Sequence, residues 1–234
     1  MIEHIEKYVK IRKKKDIFMI VYQKELIKPS VIGIYPSLET LYNTIPRETR
    51  LHMERVGVYC RYYYSYLLDN YSGTVRSNVI PEFDYVCEEL FRYHDLGRAY
   101  IPTRILNKVA ALTEEERQII KNHTIYAKDA IKAIYNFPYT GEIEKYFVQI
   151  AVSHHERYDG GGYPERLLAG EIPFLARVCA VADTFDGITS WKPYKTKQTD
   201  RNKAKEIILS ESGKQFDPFI AKTFAEVIPF LPEI

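Results

Sequence analysis

At 234 residues, with 46% hydrophobic and 14% aromatic content, the chain suits one large domain or a domain with an appendage, and it has ample material for a core. Its 33 basic and 31 acidic residues leave a net charge of +2, which offers no global reason to bind a nucleic-acid polymer or a membrane surface, so any phosphate recognition must be local. No stretch approaches the roughly 20 apolar residues that span a bilayer. Cys60, Cys87 and Cys179 are odd in number and form no CxxC pair, which fits buried free thiols in a reducing, cytoplasmic setting.

Taken in chain order, the basic residues at 12–15 precede a short apolar run that ends in charge and lacks a small-residue cleavage site, so the run reads as a strand. Residues 16–37 are β-branched and aromatic with a Lys-Pro-Ser break, which predicts a small hairpin within an N-terminal appendage over 1–45. From Leu38 the hydrophobic period becomes helical. Helices are expected over 46–71, 81–94, 114–135, 142–156, 173–190, 200–210 and 217–228. Pro81 suits a first helical turn, Thr113 with Glu116 forms a capping box, and Asp217-Pro218 supplies a cap followed by a first-turn proline. The expectation is an all-α helical bundle over 46–234 with a small β-hairpin or extended segment before it.

The histidines then fall into place on these helices. Ile143, Tyr146, Phe147, Ile150 and Ala151 recur at helical spacing, and His154 is the next member of the series. His123 lies on the stripe of Ile119, Ile120, Ala127, Ile131 and Ile134. His94 follows Phe83, Val86, Cys87, Leu90 and Phe91 in the same way, and His52 precedes Val56, Tyr59, Cys60 and Tyr63. A lone histidine on an apolar face is ordinarily a core residue bonded to a neighbouring carbonyl. Several helices that each point one inward, with His155 beside His154 and Asp95 beside His94, are economically explained by a metal cluster inside a bundle.

Carboxylates sharpen this reading. Asp183 lies among Ala176, Cys179, Ala180 and Gly187, whose small side chains leave room for a bulky cluster. Glu48 stands four residues before His52, so both project from one helical face, although a first-turn acid is also favoured by the helix dipole. The glycine run after His155 ends its helix and lets backbone approach a substrate or partner closely, or simply makes a tight turn.

In that order and at these separations, "YHDLGRAYIP", "KNH", "SHHERYDGGGYP", "VADTFDGITSWKPYK" and "GKQFDP" closely resemble the HD-GYP family, a branch of the HD metal-dependent phosphohydrolases, over roughly residues 46 to 228. The resemblance implies an HD-domain-like helical fold that hydrolyses cyclic di-GMP, a bacterial second messenger, to the linear dinucleotide or GMP. It implies two or three divalent metal ions, iron or manganese, with a hydroxide bridging them as nucleophile. Carried over by position, Asp95 is the metal bridge. His52, His94 and Asp183 serve one metal, His123, His154 and His155 a second, and Glu48 a third. Gly162, Tyr163 and Pro164 form the loop that gives the family part of its name.

Two departures stand out. Where the family commonly has lysine three residues after the HD aspartate, this chain has Arg98, which keeps the charge and can clamp phosphate but cannot exchange a proton near neutral pH. The common "TSDRPYR" becomes Thr189–Lys195, which places Lys192 and Lys195 at expected phosphate-binding positions and Trp191 where it could stack on a base or pack a helix end. Alternatives therefore stay open: hydrolysis of another cyclic dinucleotide or nucleotide, or a non-catalytic module that binds such a ligand or docks a protein partner through the Gly162–Pro164 loop. The appendage is suited to pack on the domain or to build a homodimer.

Overall fold

A computed structural model describes residues 34–190 and 200–234, all within one compact unit, Ile32–Ile234. The predicted hairpin lies almost wholly outside the described residues, as do Trp191, Lys192 and Lys195. Residues 34–45, assigned from sequence to the appendage, pack with the helical unit. Tyr35 N–H donates to the Ala133 carbonyl and Tyr135 N–H to the Tyr35 carbonyl, each at 2.8 Å. Leu38, Leu41, Tyr42 and Ile45 are buried in the common core, around a short helix α1 (Leu38–Tyr42).

The described residues are helical, with isolated bridges and no named strand among them. Helix α2 (Arg47–Arg76) is the spine. It buries Met53, Val56, Tyr59, Cys60, Tyr63 and Leu67 along one stripe, and Tyr71 interrupts the helical backbone near its end. The buried Tyr63 hydroxyl shares a 2.6 Å hydrogen bond with Thr223 Oγ1. That bond ties α2 to the last long helix, Pro218–Val227, because a buried hydroxyl needs a partner.

Two runs expected as single helices are broken, and both breaks position the site. The run over 81–94 is a 3₁₀ turn (Pro81–Tyr85), helix α3 (Cys87–Arg92) and a second 3₁₀ stretch (Tyr93–Tyr100). The run over 114–135 divides at Asn122 into α5 (Glu114–Lys121), with its capping box formed, and α6 (His123–Lys132). A one-turn α4 (Thr103–Leu106) precedes them. The remaining helices, α7 (Gly141–Ser153), α8 (Phe174–Thr189), α9 (Arg201–Ser210) and α10 (Pro218–Val227), lie close to expectation.

Gly97 lets the broken segments meet. A Cβ there would sit 1.9 Å from the His123 carbonyl oxygen, so only glycine allows the 3₁₀ stretch to lie against the start of α6. That contact brings His123 to Asp95.

Candidate metal centre

Asp95 is 1% exposed and lies in the 3₁₀ stretch between two groups of imidazole and carboxylate donors. Its Oδ1 is 3.1 Å from His123 Nε2 and 3.6 Å from His154 Nε2. Oδ2 is 3.5 Å from His94 Nε2 and 3.8 Å from His52 Nε2. His52 Nε2 is also 3.1 Å from Asp183 Oδ1. Donor atoms of Asp95, His123, His154 and His155 lie within 4.8 Å of one another, as do those of His52, His94 and Asp183. All the described histidines of the chain therefore converge on one carboxylate.

The far side of four of the five rings is fixed. His94 Nδ1–H donates to the Phe91 carbonyl at 3.0 Å, His123 Nδ1–H to Ile120 at 2.6 Å, and His154 Nδ1–H to Ile150 at 3.1 Å. A carbonyl can only accept, so Nδ1 carries the proton and the Nε2 lone pair is left facing the cluster. The Ile120 carbonyl is available to His123 because α5 ends one residue later. His52 differs: its Nδ1 lies 2.7 Å from Asp186 Oδ2. Asp186 also receives Arg55 Nε at 2.6 Å, Arg55 Nη2 at 3.0 Å and the Ser190 hydroxyl at 2.8 Å.

Fit to a metal rests on what remains unpaired. His94 Nε2 and both oxygens of Asp95 are buried without an aligned hydrogen bond; Arg98 Nε lies 2.6 Å from Oδ2, but among the described residues Oδ1 and His94 Nε2 face no protein cation, a costly arrangement unless a metal ion joins them. Imidazole nitrogens mixed with carboxylate oxygens suit a divalent transition metal. The residues present fit such ions on both sides of Asp95.

Titration follows the same division. Burial works against the charged form of Asp95, but the Arg98 guanidinium and the His94 and His123 imidazoles more than reverse it, holding the carboxyl well below its usual range. Burial also pushes His52 down, yet hydrogen bonds to Asp183 and Asp186 outweigh it and raise the pKa to about 9. For His94 burial dominates and lowers it to about 4.

Two expected residues are placed otherwise. Glu48 occupies the first turn of α2 with its side chain 83% exposed, 3.2 Å from Arg47, and it joins neither group of donors among the described residues. Arg98 turns inward, with Nε 2.6 Å from Asp95 Oδ2; its immediate partner is the Asp95 carboxylate.

The loop after the paired histidines is organised by a residue that the sequence did not single out. Glu156 is 3% exposed. Its Oε1 accepts the backbone N–H groups of Glu165 and Arg166 at 2.7 and 3.1 Å, and its Oε2 accepts that of Leu167 at 3.0 Å. Gly162 closes the loop onto this anchor, since a Cβ there would lie 2.3 Å from Arg157 N and 2.5 Å from Glu156 Cα. Tyr163 is thereby stacked on His155, with ring centroids 5.0 Å apart at 26°. A cleft of about 260 Å³ opens above the cluster between this loop, Lys121, Asp183 and Gln215. Asp186, Arg55, Glu156 and Lys121 are thus the site residues that sequence reasoning missed. Spacing carried a partial signal for the first two, because Asp186 stands three residues after Asp183 and Arg55 three after His52, one turn along the same helices.

Comparison with known proteins agrees with this geometry. The HD domain family model matches residues 91–220. A protein of Thermotoga maritima named cyclic di-GMP phosphodiesterase is 36% identical over 182 residues, 77% of this chain and 45% of that protein. One of Vibrio cholerae with the same name is 33% identical over 193 residues, 82% of this chain and 38% of that protein. Another of Vibrio cholerae, named 3'3'-cGAMP-specific phosphodiesterase 2, is 29% identical over 213 residues, 91% and 37% respectively. The chain spans less than half the length of these relatives. In structure, an HDG"Y"P protein from Bdellovibrio bacteriovorus matches with a TM-score of 0.54 at 14% identity, over 82% of this chain and 56% of that one, a likeness of fold. Among the described residues no helix is long and apolar enough to cross a membrane.

Proposed function

Since the chain belongs to the HD domain family, in its HD-GYP branch, we propose that it is a metal-dependent phosphodiesterase that hydrolyses a cyclic dinucleotide, with cyclic di-GMP as substrate and the linear dinucleotide or GMP as product. The observation that carries this reading is the buried carboxylate of Asp95, ringed by imidazole nitrogens on both oxygens and hydrogen-bonded by none of them. His52, His94 and Asp183 would hold one ion with Asp95 Oδ2, and His123, His154 and His155 a second with Oδ1. Iron or manganese suits these donors. Two such ions supply positive charge for a phosphodiester anion and acidify a water to serve as nucleophile.

The chain's own residues do the positioning. Arg98 helps keep Asp95 ionised, and the Nδ1 bonds hold the imidazoles of His52, His94, His123 and His154 with Nε2 toward the reacting space. Glu156 and Gly162 fix the wall of the cleft, so Tyr163 covers His155 at the outer edge of the cluster.

One observation favours a second substrate: the relative covering 91% of this chain carries the name of a cGAMP-specific enzyme. Turnover of cyclic di-GMP and of 3'3'-cGAMP by the same metal-loaded sample decides between them. The proposal expects the larger kcat/KM for cyclic di-GMP. A preference for the mixed dinucleotide would keep the reaction and change the substrate, and inactivity on both would overturn the reading.

A further inference from the structure

The cleft above the cluster, about 260 Å³, falls short of the roughly 300–1,000 Å³ that encloses a drug-sized ligand, and a cyclic dinucleotide is larger than most such ligands. A second cleft of about 510 Å³ adjoins it. The two share Lys121, Gly161, Gly162 and Tyr163, and the outer one adds Gln118, Pro164 and Arg166. Lys121 stands at the junction, with Nζ 5.3 Å from the centroid of the Tyr163 ring.

Charge in the outer cleft is one-sided. Among the described residues no carboxylate lies within ion-pair distance of Lys121 or Arg166, because those nearby are engaged elsewhere. Glu165 is 3.7 Å from Lys128 and Asp159 is 2.9 Å from Arg157, while Glu156 is taken up by backbone N–H groups, including that of Arg166 itself. Arg166 is held with φ of 56° by that bond and sends an exposed side chain from the loop. Two cations without carboxylate partners on the walls of one concavity focus a positive potential into it, and Lys and Arg are the side chains that bind phosphate.

Building on the cyclic-dinucleotide reading, we infer that the outer cleft is a second phosphate subsite, in which Lys121 and Arg166 hold the phosphodiester that is not being cut while the other lies over Asp95. The substrate then straddles the Tyr163 ring. Phosphate contacts of this kind act on binding, whereas the cluster acts on the chemistry.

The test compares wild type, Lys121→Gln and Arg166→Gln, all metal-loaded, on cyclic di-GMP and on bis(p-nitrophenyl) phosphate, which has a single diester and nothing to place in the outer cleft. Arg166→Gln, which lines the outer cleft alone, should raise KM for cyclic di-GMP by about tenfold, the order expected for one lost charged contact, and raise KM for the single diester far less, whereas Lys121→Gln, at the junction of both clefts, should raise both and cyclic di-GMP the more. Equal changes on both substrates for Arg166→Gln, or no change on either for both variants, would overturn the subsite. Wild-type protein that leaves cyclic dinucleotides intact would overturn the functional reading itself, an outcome visible before any variant is compared.

Discussion

The two sides of Asp95 are built differently. On the side of His123 and His154, each Nδ1 is held by a carbonyl of its own chain turn, Ile120 and Ile150, and His94 is held likewise by Phe91. His52 alone leans on a side chain, Asp186, which is itself gripped by Arg55. A carbonyl orients a ring through backbone geometry alone, so no side-chain substitution removes it. Carboxylates also raise the basicity of an imidazole: against burial, hydrogen bonds to Asp183 and Asp186 lift His52 to about 9, whereas burial takes His94 down to about 4. Backbone carbonyls thus fix His123 and His154 on one side and His94 on the other, while a replaceable charged relay fixes His52 on one side only.

The most damaging change to both halves at once is Asp95→Ala. It removes the one carboxylate they share and should lower turnover by more than the roughly 100-fold ceiling typical of residues behind the ligands, with the helical circular dichroism signal kept. Retained turnover at full metal occupancy would contradict the bridge. Gly97→Ala attacks the carbonyl-held half through the backbone. A methyl 1.9 Å from the His123 carbonyl should cost at least about 1–3 kcal/mol in chemical denaturation, the range for overpacking, and unchanged stability would mean that the 3₁₀ stretch and α6 part easily.

Asp186→Asn separates the halves. Losing the anionic partner of His52 should weaken metal binding about 10- to 100-fold on that side alone, seen as one weakened and one unchanged affinity in a metal titration; equal weakening of both would erase the distinction. Glu156→Gln applies the same logic to the loop, because an amide offers one acceptor oxygen where the carboxylate serves three N–H groups. A loss of about 1–3 kcal/mol is expected for the buried mismatch, with metal content preserved. The smallest effect belongs to Glu48→Gln, which should leave metal count and turnover within about twofold, as surface positions usually do. A lost metal would return Glu48 to the centre.

The clustering of most of these donors was legible because each sits on an apolar stripe whose period is local. His154 illustrates this: it follows Ile150 by four residues and faces inward even though α7 stops at Ser153. His123 was legible in direction but not in setting, since it begins α6 instead of lying mid-helix, and neither glycine nor proline marks the break at Asn122. For Asp186 spacing gave only its place one turn after Asp183; its role could not be read, because its partners His52 and Arg55 lie 134 and 131 residues away. The same holds for Glu156, whose importance appears only once the loop folds back over it. Glu48 was read two ways, as a donor on the face of His52 or as a first-turn acid; its exposed side chain, 3.2 Å from Arg47, fits the second.

The most direct test of the whole account is anaerobic reconstitution with iron or manganese, followed by metal counting and cyclic di-GMP turnover on the same sample. At least two ions per chain are expected, together with release of the linear dinucleotide or GMP. Full metal loading without hydrolysis of a cyclic dinucleotide, or hydrolysis that persists after the metal is stripped, would contradict it.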